Sequence, residues 1–186
     1  NLIISSDNPH DLIKKANNVL EKINQYMIAN KLLVNESKSA FMLFKPKGKK
    51  EPANLSQMII KETEIKRVSH ARYLGIIIDD KMNFKEQFLK LNKKLKETVN
   101  ALIAVRLSLN YRAKLQLYHS FFESHLKYAS VTYFDKLNKK QTEILSKLQK
   151  KAIRLVFNAK MRSHTGKLLT IAEITPIDKI YKCETL

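Results

Sequence analysis

The spacing of apolar residues divides the chain into a mixed first part and a helical second part. After Asn8 and Pro9, which suit the N-cap and the first turn of a helix, apolar residues recur at helical spacing to about residue 30. Five short apolar runs predict strands, at 2–4, 40–44, 58–60, 65–68 and 73–78, with Gly75 inside the last run. A lysine-rich loop at 45–50 interrupts them. We therefore predict a helix with short antiparallel strands over the first 80 residues.

From residue 81 onward the apolar spacing is helical, and only Gly166 and Pro176 interrupt it. Three stripes predict three amphipathic helices: Phe84, Phe88, Leu91, Leu95, Val99 and Leu102; Leu115, Tyr118, Phe122, Leu126, Ala129 and Tyr133; and Leu145, Leu148, Ala152 and Leu155. Turns are expected near 108–110 and 136–138, a loop at 163–166, and a final helix from about Ile177. The predicted class is α+β, with a mixed portion at 1–80, a basic helical bundle at 81–160, and a connector at 161–186.

The charge balance indicates a polyanionic partner. The 186 residues carry 35 Lys+Arg against 17 Asp+Glu, a net charge of +18, and residues 81–160 hold 18 basic and 5 acidic side chains of that total. Nucleic acid is the first expectation, because binding to an anionic membrane usually needs a basic amphipathic helix or a lipid anchor as well. No apolar stretch reaches the roughly 18 residues of a membrane span. We expect no membrane association.

The cysteine and histidine content indicates the redox compartment and argues against a zinc site. Cys183 is the single cysteine, so the chain forms no internal disulfide, and its five histidines offer no zinc ligand set. His119 and His125 are six residues apart and share no helical face. A reducing compartment, nuclear or cytoplasmic, is expected. Because the chain starts at Asn1 with a predicted strand, we expect it to be cut from something longer.

Four sequence features occur in the order and spacing of one known family. They are Asn-Lys-Leu-Leu-Val-Asn-Glu-Ser-Lys at 30–38, Arg-Tyr-Leu-Gly at 72–75 followed by Asp79, the set Leu117, Tyr118, Ser120, Ser124, Leu126 and Tyr128, and Leu-Gln-Lys-Lys-Ala-Ile-Arg at 148–154. In this order the chain resembles, over nearly its whole length, the C-terminal palm and thumb of the reverse transcriptase of non-long-terminal-repeat (LINE-type) retrotransposons, in particular jockey-like elements. Val-Thr-Tyr-Phe at 131–134 departs from the glycine and tryptophan usual in that family.

The resemblance implies an RNA-directed DNA polymerase that uses Mg²⁺ and takes an RNA template, a DNA primer and deoxynucleotide triphosphates. In the family, the segment that starts at Asn1 follows an aromatic-Ala-Asp-Asp turn, which holds two Mg²⁺ together with an earlier aspartate. Neither aspartate is in this chain. Asp79 and Asp80 follow Tyr-Leu-Gly, where the family has an aspartate that ends a strand, so we assign no metal ligand. This fragment alone is expected to bind nucleic acid without polymerising.

The resemblance implies a catalytic role for Lys38. A cation beside the departing pyrophosphate can neutralise or protonate it, and such general acid help is worth roughly 10²–10⁴-fold in rate. The alternative is a surface lysine at the end of a strand. Asn30 and Asn35 are interpreted as turn residues, because asparagine bonds to its own backbone and tolerates left-handed geometry.

Arg72, Tyr73, Leu74 and Gly75 resemble the primer grip, a hairpin that lies against the 3′ end of the growing strand. A glycine suits this place because a missing side chain lets another backbone come close. The alternative is a buried strand with a bulge at Gly75, and Leu74 is expected to pack inward in either case. Arg72 would meet a phosphate or terminate the strand.

Four cations on the third predicted helix are candidates for binding a phosphate backbone and, like Lys38, are predicted to be exposed: Lys147, Lys150, Lys151 and Arg154. The alternative is a solvated basic face, but the acidic residues that would form i,i+4 pairs are mostly missing. A weaker candidate set on the first of these helices is Lys90, Lys93, Lys94 and Lys96. Tyr118, Phe121 and Phe122 could stack on bases, but their spacing favours the core.

These inferences lead to one predicted function and two rivals. The prediction is the C-terminal palm and thumb of a retrotransposon reverse transcriptase, which positions the primer and grips the template–primer duplex by its shape and phosphates. The first rival is a non-catalytic nucleic-acid-binding remnant of a retrotransposon. The second is a helical interaction module whose charge serves an acidic protein partner.

Overall fold

The computed structural model describes residues 1–45, 48 and 57–184, with side chains described up to Ile180. The chain forms two compact units, Asn1–Ala71 and Arg72–Leu186. The first combines one long helix with short strands and the second is mainly helical, which confirms the predicted α+β class. The unit boundary falls nine residues before the end of the predicted mixed portion. The lysine-rich loop predicted at 45–50 lies outside the described residues, apart from Lys45 and Gly48.

The first unit is organised around helix α1 (Pro9–Ala29). Asn8 accepts a hydrogen bond from the His10 backbone N–H at 2.9 Å, and Pro9 occupies the first turn, as predicted. The helix ends at Asn30, and Lys31 follows with a φ of 55°. The Asn17 side chain donates to the Gln57 carbonyl at 3.0 Å and accepts from the Ile59 N–H at 3.1 Å. These two bonds fix α1 to the strand that begins at Ile59.

The strands of the first unit are two residues long. Strand β1 (Ala40–Phe41) pairs in parallel with β4 (Lys66–Arg67), whereas β2 (Ile59–Ile60) pairs antiparallel with β3 (Thr63–Glu64). The run at 40–44 is thus a strand only at its start, and β3 was not predicted. The strand predicted at 2–4 is absent: this segment has no regular structure, and Ile3 is 95% exposed.

A hairpin spans the start of the second unit: its first strand, β5 (His70–Tyr73), begins two residues before Arg72, and its second strand is β6 (Ile76–Asp79). Helix α2 (Lys85–Ala104) follows. The Asp79 carboxylate accepts backbone N–H bonds from Lys81, Asn83 and Phe84, which closes the turn into α2. The predicted stripe is confirmed, because Phe88, Leu91, Leu95, Val99 and Leu102 are all buried. One face of α2 therefore supplies much of the core of this unit.

The second predicted helix is broken into pieces. Helix α3 (Tyr111–Leu117) continues into a π-helical turn (Tyr118–Glu123), then α4 (Ser124–Lys127) and α5 (Ser130–Tyr133). Ala129 has a φ of 50°, which interrupts the helix between α4 and α5. Periodicity alone predicted a continuous helix because the buried positions still fall near helical spacing.

Helix α6 (Lys139–Val156) begins at a capping box in which Asn138 and Gln141 exchange side-chain and backbone hydrogen bonds. Helix α7 (Gly166–Ile171) was not predicted, whereas α8 (Ile177–Glu184) begins at the expected residue. Buried Gln149 of α6 accepts from the Ile177 N–H at 3.0 Å and thereby holds the start of α8. Among the described residues, no helix has both the length and the apolar character needed to cross a membrane.

Candidate nucleic-acid interface

Leu74 and Gly75 form the tight turn between β5 and β6. Their φ values are 44° and 83°, and two consecutive positive φ values are typical of the type I′ turn that suits the twist of a two-residue hairpin. The prediction that Gly75 lies inside a strand is therefore wrong, because the strand pair closes around it. A glycine is needed here first of all for its backbone geometry.

Two side chains from elsewhere in the second unit hold this turn. The Tyr128 hydroxyl donates to the Leu74 carbonyl at 2.5 Å, and the Lys90 ammonium donates to the Gly75 carbonyl at 2.5 Å. A Cβ atom at Gly75 would lie 3.3 Å from the Tyr128 hydroxyl oxygen. The close approach expected at Gly75 thus involves a tyrosine ring and not a second backbone.

The hairpin tip faces solvent. Leu74 is 72% exposed, so the prediction that it packs inward is wrong, and Arg72 and Tyr73 are exposed as well. In a type I′ turn the central side chains point away from both strands, and both carbonyls of this turn are already bound to Lys90 and Tyr128. The tip is consequently a fixed, outward-pointing loop.

A cationic cavity of about 470 Å³ lies beside the tip, with Arg72, Gly75, Lys90, Lys94 and Tyr128 among its lining residues. Partial burial lowers the pKa of Lys90, and the neighbouring Arg72 and Lys94 cations lower it further. The three cations repel one another here, and an anion would relieve that repulsion. The cavity is chemically suited to a phosphate.

The four cations of α6 share the face opposite the core but differ in availability. Lys147 and Lys150 are exposed, and Lys151 and Arg154 are half-buried. Arg154 donates from Nε to the Ser163 carbonyl at 3.0 Å, so part of its hydrogen-bonding capacity fixes the 160–163 turn. The expectation that all four are exposed is wrong for these last two. Lys147 and Lys150 are the strongest phosphate candidates.

Glu143 is the only acidic residue in the α6 sequence, and it lies on the basic face. In the described part of the chain, neither Lys147 nor Lys150 lies within salt-bridge distance of a carboxylate. The face thus keeps an uncompensated positive charge, which is the property that phosphate binding requires.

Lys38 lies in the first unit, at the end of a 3₁₀ turn (Glu36–Lys38), with its side chain exposed. Asn35 accepts from the Lys38 backbone N–H at 3.0 Å and from the Ser37 hydroxyl at 2.7 Å. Asn30 donates to the Tyr26 carbonyl at 2.8 Å. Both asparagines therefore have local turn contacts, as interpreted from the sequence. The neighbouring Glu36 pairs with Lys61 at 3.1 Å, and a backbone hydrogen bond together with Lys61 lowers the pKa of Glu36.

The described residues do not offer a set of ligands for a catalytic metal. No group of three His, Cys, Asp or Glu side chains among them could hold an ion. Asp79 is buried, and both of its carboxylate oxygens accept backbone N–H bonds. The donor set therefore does not fit a two-Mg²⁺ centre.

The structure adds residues to the site that the sequence interpretation did not assign. Tyr128 was noted only within a family-like segment, and its hydroxyl contact with the turn spans 54 residues of sequence. Phe121 was placed in the core by its spacing but is 52% exposed. The π turn accounts for this difference, because its i→i+5 bonds add a residue per turn, which aligns Tyr118 with Phe122 and moves Phe121 off the face that those two residues share.

The structure brings Arg72, Tyr73, Leu74 and Gly75 together with Lys90 and Tyr128. The four α6 cations do not line the cavity at the hairpin tip, and Lys38 belongs to the other unit. Comparisons of the chain with protein-family models, curated proteins and solved structures found no match.

Proposed function

We propose that this chain is the C-terminal palm and thumb portion of a non-long-terminal-repeat retrotransposon reverse transcriptase, where it positions the primer and grips the template–primer duplex. The observation that best supports this proposal is the basic face of α6, where Lys147 and Lys150 are exposed and lack a carboxylate partner among the described residues. Such cations bind phosphates by releasing condensed counterions, without reading sequence. An RNA template and a DNA primer are the proposed partners, in the nucleus and cytoplasm.

In this proposal the hairpin tip positions the end of the primer. The Leu74–Gly75 turn is fixed by Lys90 and Tyr128, so it can present a constant surface to a primer end. Arg72, Lys90 and Lys94 line the adjoining cavity and would bind a phosphate of that strand. Lys38 would act on the departing pyrophosphate of a bound deoxynucleotide triphosphate.

Mg²⁺ is the cofactor of the complete enzyme in this proposal. It would supply charge neutralisation at the transferring phosphoryl group, with its ligands outside the sequence of this chain. The described residues offer no such centre, so no step of the reaction is assigned to them through the metal.

A non-catalytic nucleic-acid-binding remnant of a retrotransposon is the second candidate. The exposed cations of α6 support it equally, since it requires phosphate binding and assigns no reaction to the residues of this chain. Both candidates predict binding of nucleic acid by this chain. They differ in whether a complete protein also polymerises.

Binding of residues 1–186 to an RNA–DNA hybrid tests the proposal. If six to ten phosphates are contacted, the affinity falls about 10³–10⁵-fold between roughly 50 and 200 mM salt. Fluorescence anisotropy with a labelled hybrid measures this slope. A flat salt titration would reject the duplex grip and favour an acidic protein partner.

A matched pair of variants locates the contact. Lys147→Gln with Lys150→Gln removes two charges from α6, and Lys14→Gln with Lys15→Gln removes two exposed charges from α1. The α6 pair is expected to weaken hybrid binding and to lower the salt dependence of the affinity by the equivalent of about two phosphate contacts. The α1 pair should change the affinity and its salt dependence less. Equal losses from the two pairs would mean that only net charge matters.

Primer extension on an RNA template with Mg²⁺ examines catalysis directly. Residues 1–186 alone are expected to incorporate no nucleotide, because the metal-binding aspartates are missing. In a chain that also carries those aspartates, Lys38→Ala should lower the incorporation rate with nearly unchanged duplex affinity. If Lys38→Ala weakens duplex binding as strongly as the α6 pair does, Lys38 is a phosphate contact and not a leaving-group acid.

A further inference from the structure

A second cavity of about 470 Å³ adjoins the cationic cavity in the second unit. Its apolar lining comes from Ala101, Leu102, Leu117 and Phe121, and its polar lining from Lys94, Glu97, Thr98 and His125. Lys94 and His125 line both cavities, so the two are neighbours on the second unit, and together we call them the groove.

Phe121 is the aromatic wall of this groove, and the π turn is what places it there. Its neighbours Tyr118 and Phe122 are fully buried and stack on each other with ring centroids 5.1 Å apart. Phe121 is half-exposed, and its carbonyl lies 3.4 Å from the Thr98 hydroxyl of α2, whose shorter hydrogen bond is to the Lys94 carbonyl at 3.1 Å. An exposed phenylalanine beside cations is a typical stacking platform for bases.

The rim of the groove carries hydrogen-bonding groups of both kinds. The Lys94 ammonium and the Glu97 carboxylate lie 3.1 Å apart, and both side chains are about half-exposed. Lysine offers donors and glutamate offers acceptors, which together match the carbonyl and amino edges of nucleobases. The Nδ1 atom of His125 has no hydrogen-bond partner among the described residues.

We propose that this groove binds an unpaired base of single-stranded nucleic acid. The base stacks on Phe121 over the apolar floor, and Lys94 with Glu97 contacts its edge. The adjoining phosphates lie toward Arg72 and Lys90 in the cationic cavity. This inference rests on the proposed function, and it adds that the chain recognises a single strand next to the duplex.

Charge complementarity selects this occupant over an apolar peptide. The first cavity of the groove is lined by three cations, Arg72, Lys90 and Lys94. Among the described residues, the only carboxylate that lines either cavity is Glu97, which is paired with Lys94. A polyanion with flat aromatic bases satisfies both halves of the groove. A neutral peptide would leave the positive charges of Arg72 and Lys90 without a counter-charge from the ligand.

Binding of three labelled ligands tests the inference: a blunt RNA–DNA hybrid, the same hybrid with a single-stranded overhang, and the single strand alone. Phe121→Leu keeps an apolar residue but removes the aromatic face. It is expected to weaken binding of the overhang hybrid and the single strand roughly 5- to 100-fold, with unchanged binding of the blunt hybrid. Phe121→Tyr should restore wild-type binding of all three.

The matched control is Tyr26→Leu, which removes an exposed aromatic ring from α1 in the first unit and should leave all three affinities unchanged. If Phe121→Leu leaves single-strand and overhang binding intact, the inference is wrong while the duplex grip can stand. If the wild type binds the single strand in a Phe121-dependent manner but does not bind the blunt hybrid, the duplex grip fails and the groove is supported. Equal losses on blunt and overhang ligands would also reject the groove.

Discussion

The two units of this chain differ in how completely they bury their apolar residues. In the second unit one continuous cluster extends from Ile76 to Ile180, and Leu95, Leu102 and Phe122 within it are fully buried. Among the described residues of the first unit, the buried apolar side chains are Ile13, Ala16, Ile60 and Ile65, whereas Ile3, Tyr26 and Leu33 are among the large exposed ones. Similar apolar patterns thus lead to a closed core in one unit and a sparse one in the other.

The cause lies in the elements that surround each core. In the second unit α2 packs against α6, and the π turn and α8 cover the same cluster from further directions. In the first unit a single long helix meets strands of two residues, and an open groove of about 500 Å³ lined largely by apolar side chains remains along α1. Buried apolar area is the dominant favourable term in folding, so stability should be concentrated in the second unit.

The largest expected difference in stability is between the two units when each is produced separately. Residues 68–186, which retain the whole β5–β6 hairpin, are expected to unfold cooperatively on heating, because their cluster is complete. Residues 1–67 are expected to show no cooperative transition. Circular dichroism at near- and far-ultraviolet wavelengths measures both segments. A cooperative transition in 1–67 with a near-ultraviolet signal would contradict the comparison.

Truncation of a core leucine in the second unit is expected to have the next largest effect on stability. Leu95→Ala removes a fully buried side chain of α2 and should lower the free energy of unfolding by about 2–5 kcal/mol. Leu89→Ala, on the exposed side of the same helix, is the matched control and should cost less than about 1 kcal/mol. Urea denaturation measures both values. Similar losses in the two variants would show that α2 is not packed as described.

The hairpin turn gives an intermediate effect. Gly75→Ala must adopt a φ of 83° and place its Cβ 3.3 Å from the Tyr128 hydroxyl, so the free energy of unfolding should fall by about 1–3 kcal/mol. Gly166→Ala is the control, since a Cβ there meets nothing within 4 Å and the residue begins α7. That change should be neutral or slightly stabilising. Equal behaviour of the two glycines would remove the strain argument.

Two buried tyrosines give the smallest effect. The Tyr118 hydroxyl accepts from Gln149 at 3.1 Å, whereas the Tyr133 hydroxyl has no partner among the described residues. Tyr118→Phe should cost about 1 kcal/mol of unfolding free energy, and Tyr133→Phe should cost nearly nothing. Chemical denaturation at neutral pH measures the pair. A larger loss for Tyr133→Phe would mean that its hydroxyl is bound.

Tyr133 also affects how the stability of the fold depends on pH in the alkaline range. Burial raises the pKa of Tyr133 from 10 to about 12, so the folded state holds this proton more tightly than the unfolded state does. The stability from this group is complete below pH 10 and is lost as the pH rises through 12. Tyr133→Phe should therefore unfold less steeply in this range than the wild type. An unchanged alkaline profile would show that Tyr133 does not contribute.

Features that depend on neighbouring residues were predictable from the sequence. The core face of α2, the N-cap at Asn8, the turn before α6 and the start of α8 at Ile177 all follow from spacing and cap chemistry within a few residues. The α+β class follows from the same local signals. The basic face of α6 was visible as well, because it is the complement of the apolar stripe.

The tertiary structure decided what depends on contacts between distant residues. No local signal predicts that Tyr128 and Lys90 fix the 74–75 turn, or that a π turn exposes Phe121. Lys114 is a further case: it is 1% exposed, and its ammonium donates to Asn158 at 2.9 Å and to the Arg106 carbonyl. Burial lowers the pKa of Lys114, and nothing in the local sequence distinguishes this residue from an exposed lysine.

The physical reason is the range of each interaction. Helix spacing and caps act over three to five residues, so a sequence determines them locally. Whether a lysine faces solvent or a carbonyl, and which loop a tyrosine reaches, depends on how whole elements pack. Arg72, Gly75 and Lys147 could therefore be named as candidates from the sequence, but the two neighbouring cavities beside the hairpin tip and Phe121 exist only in the folded second unit.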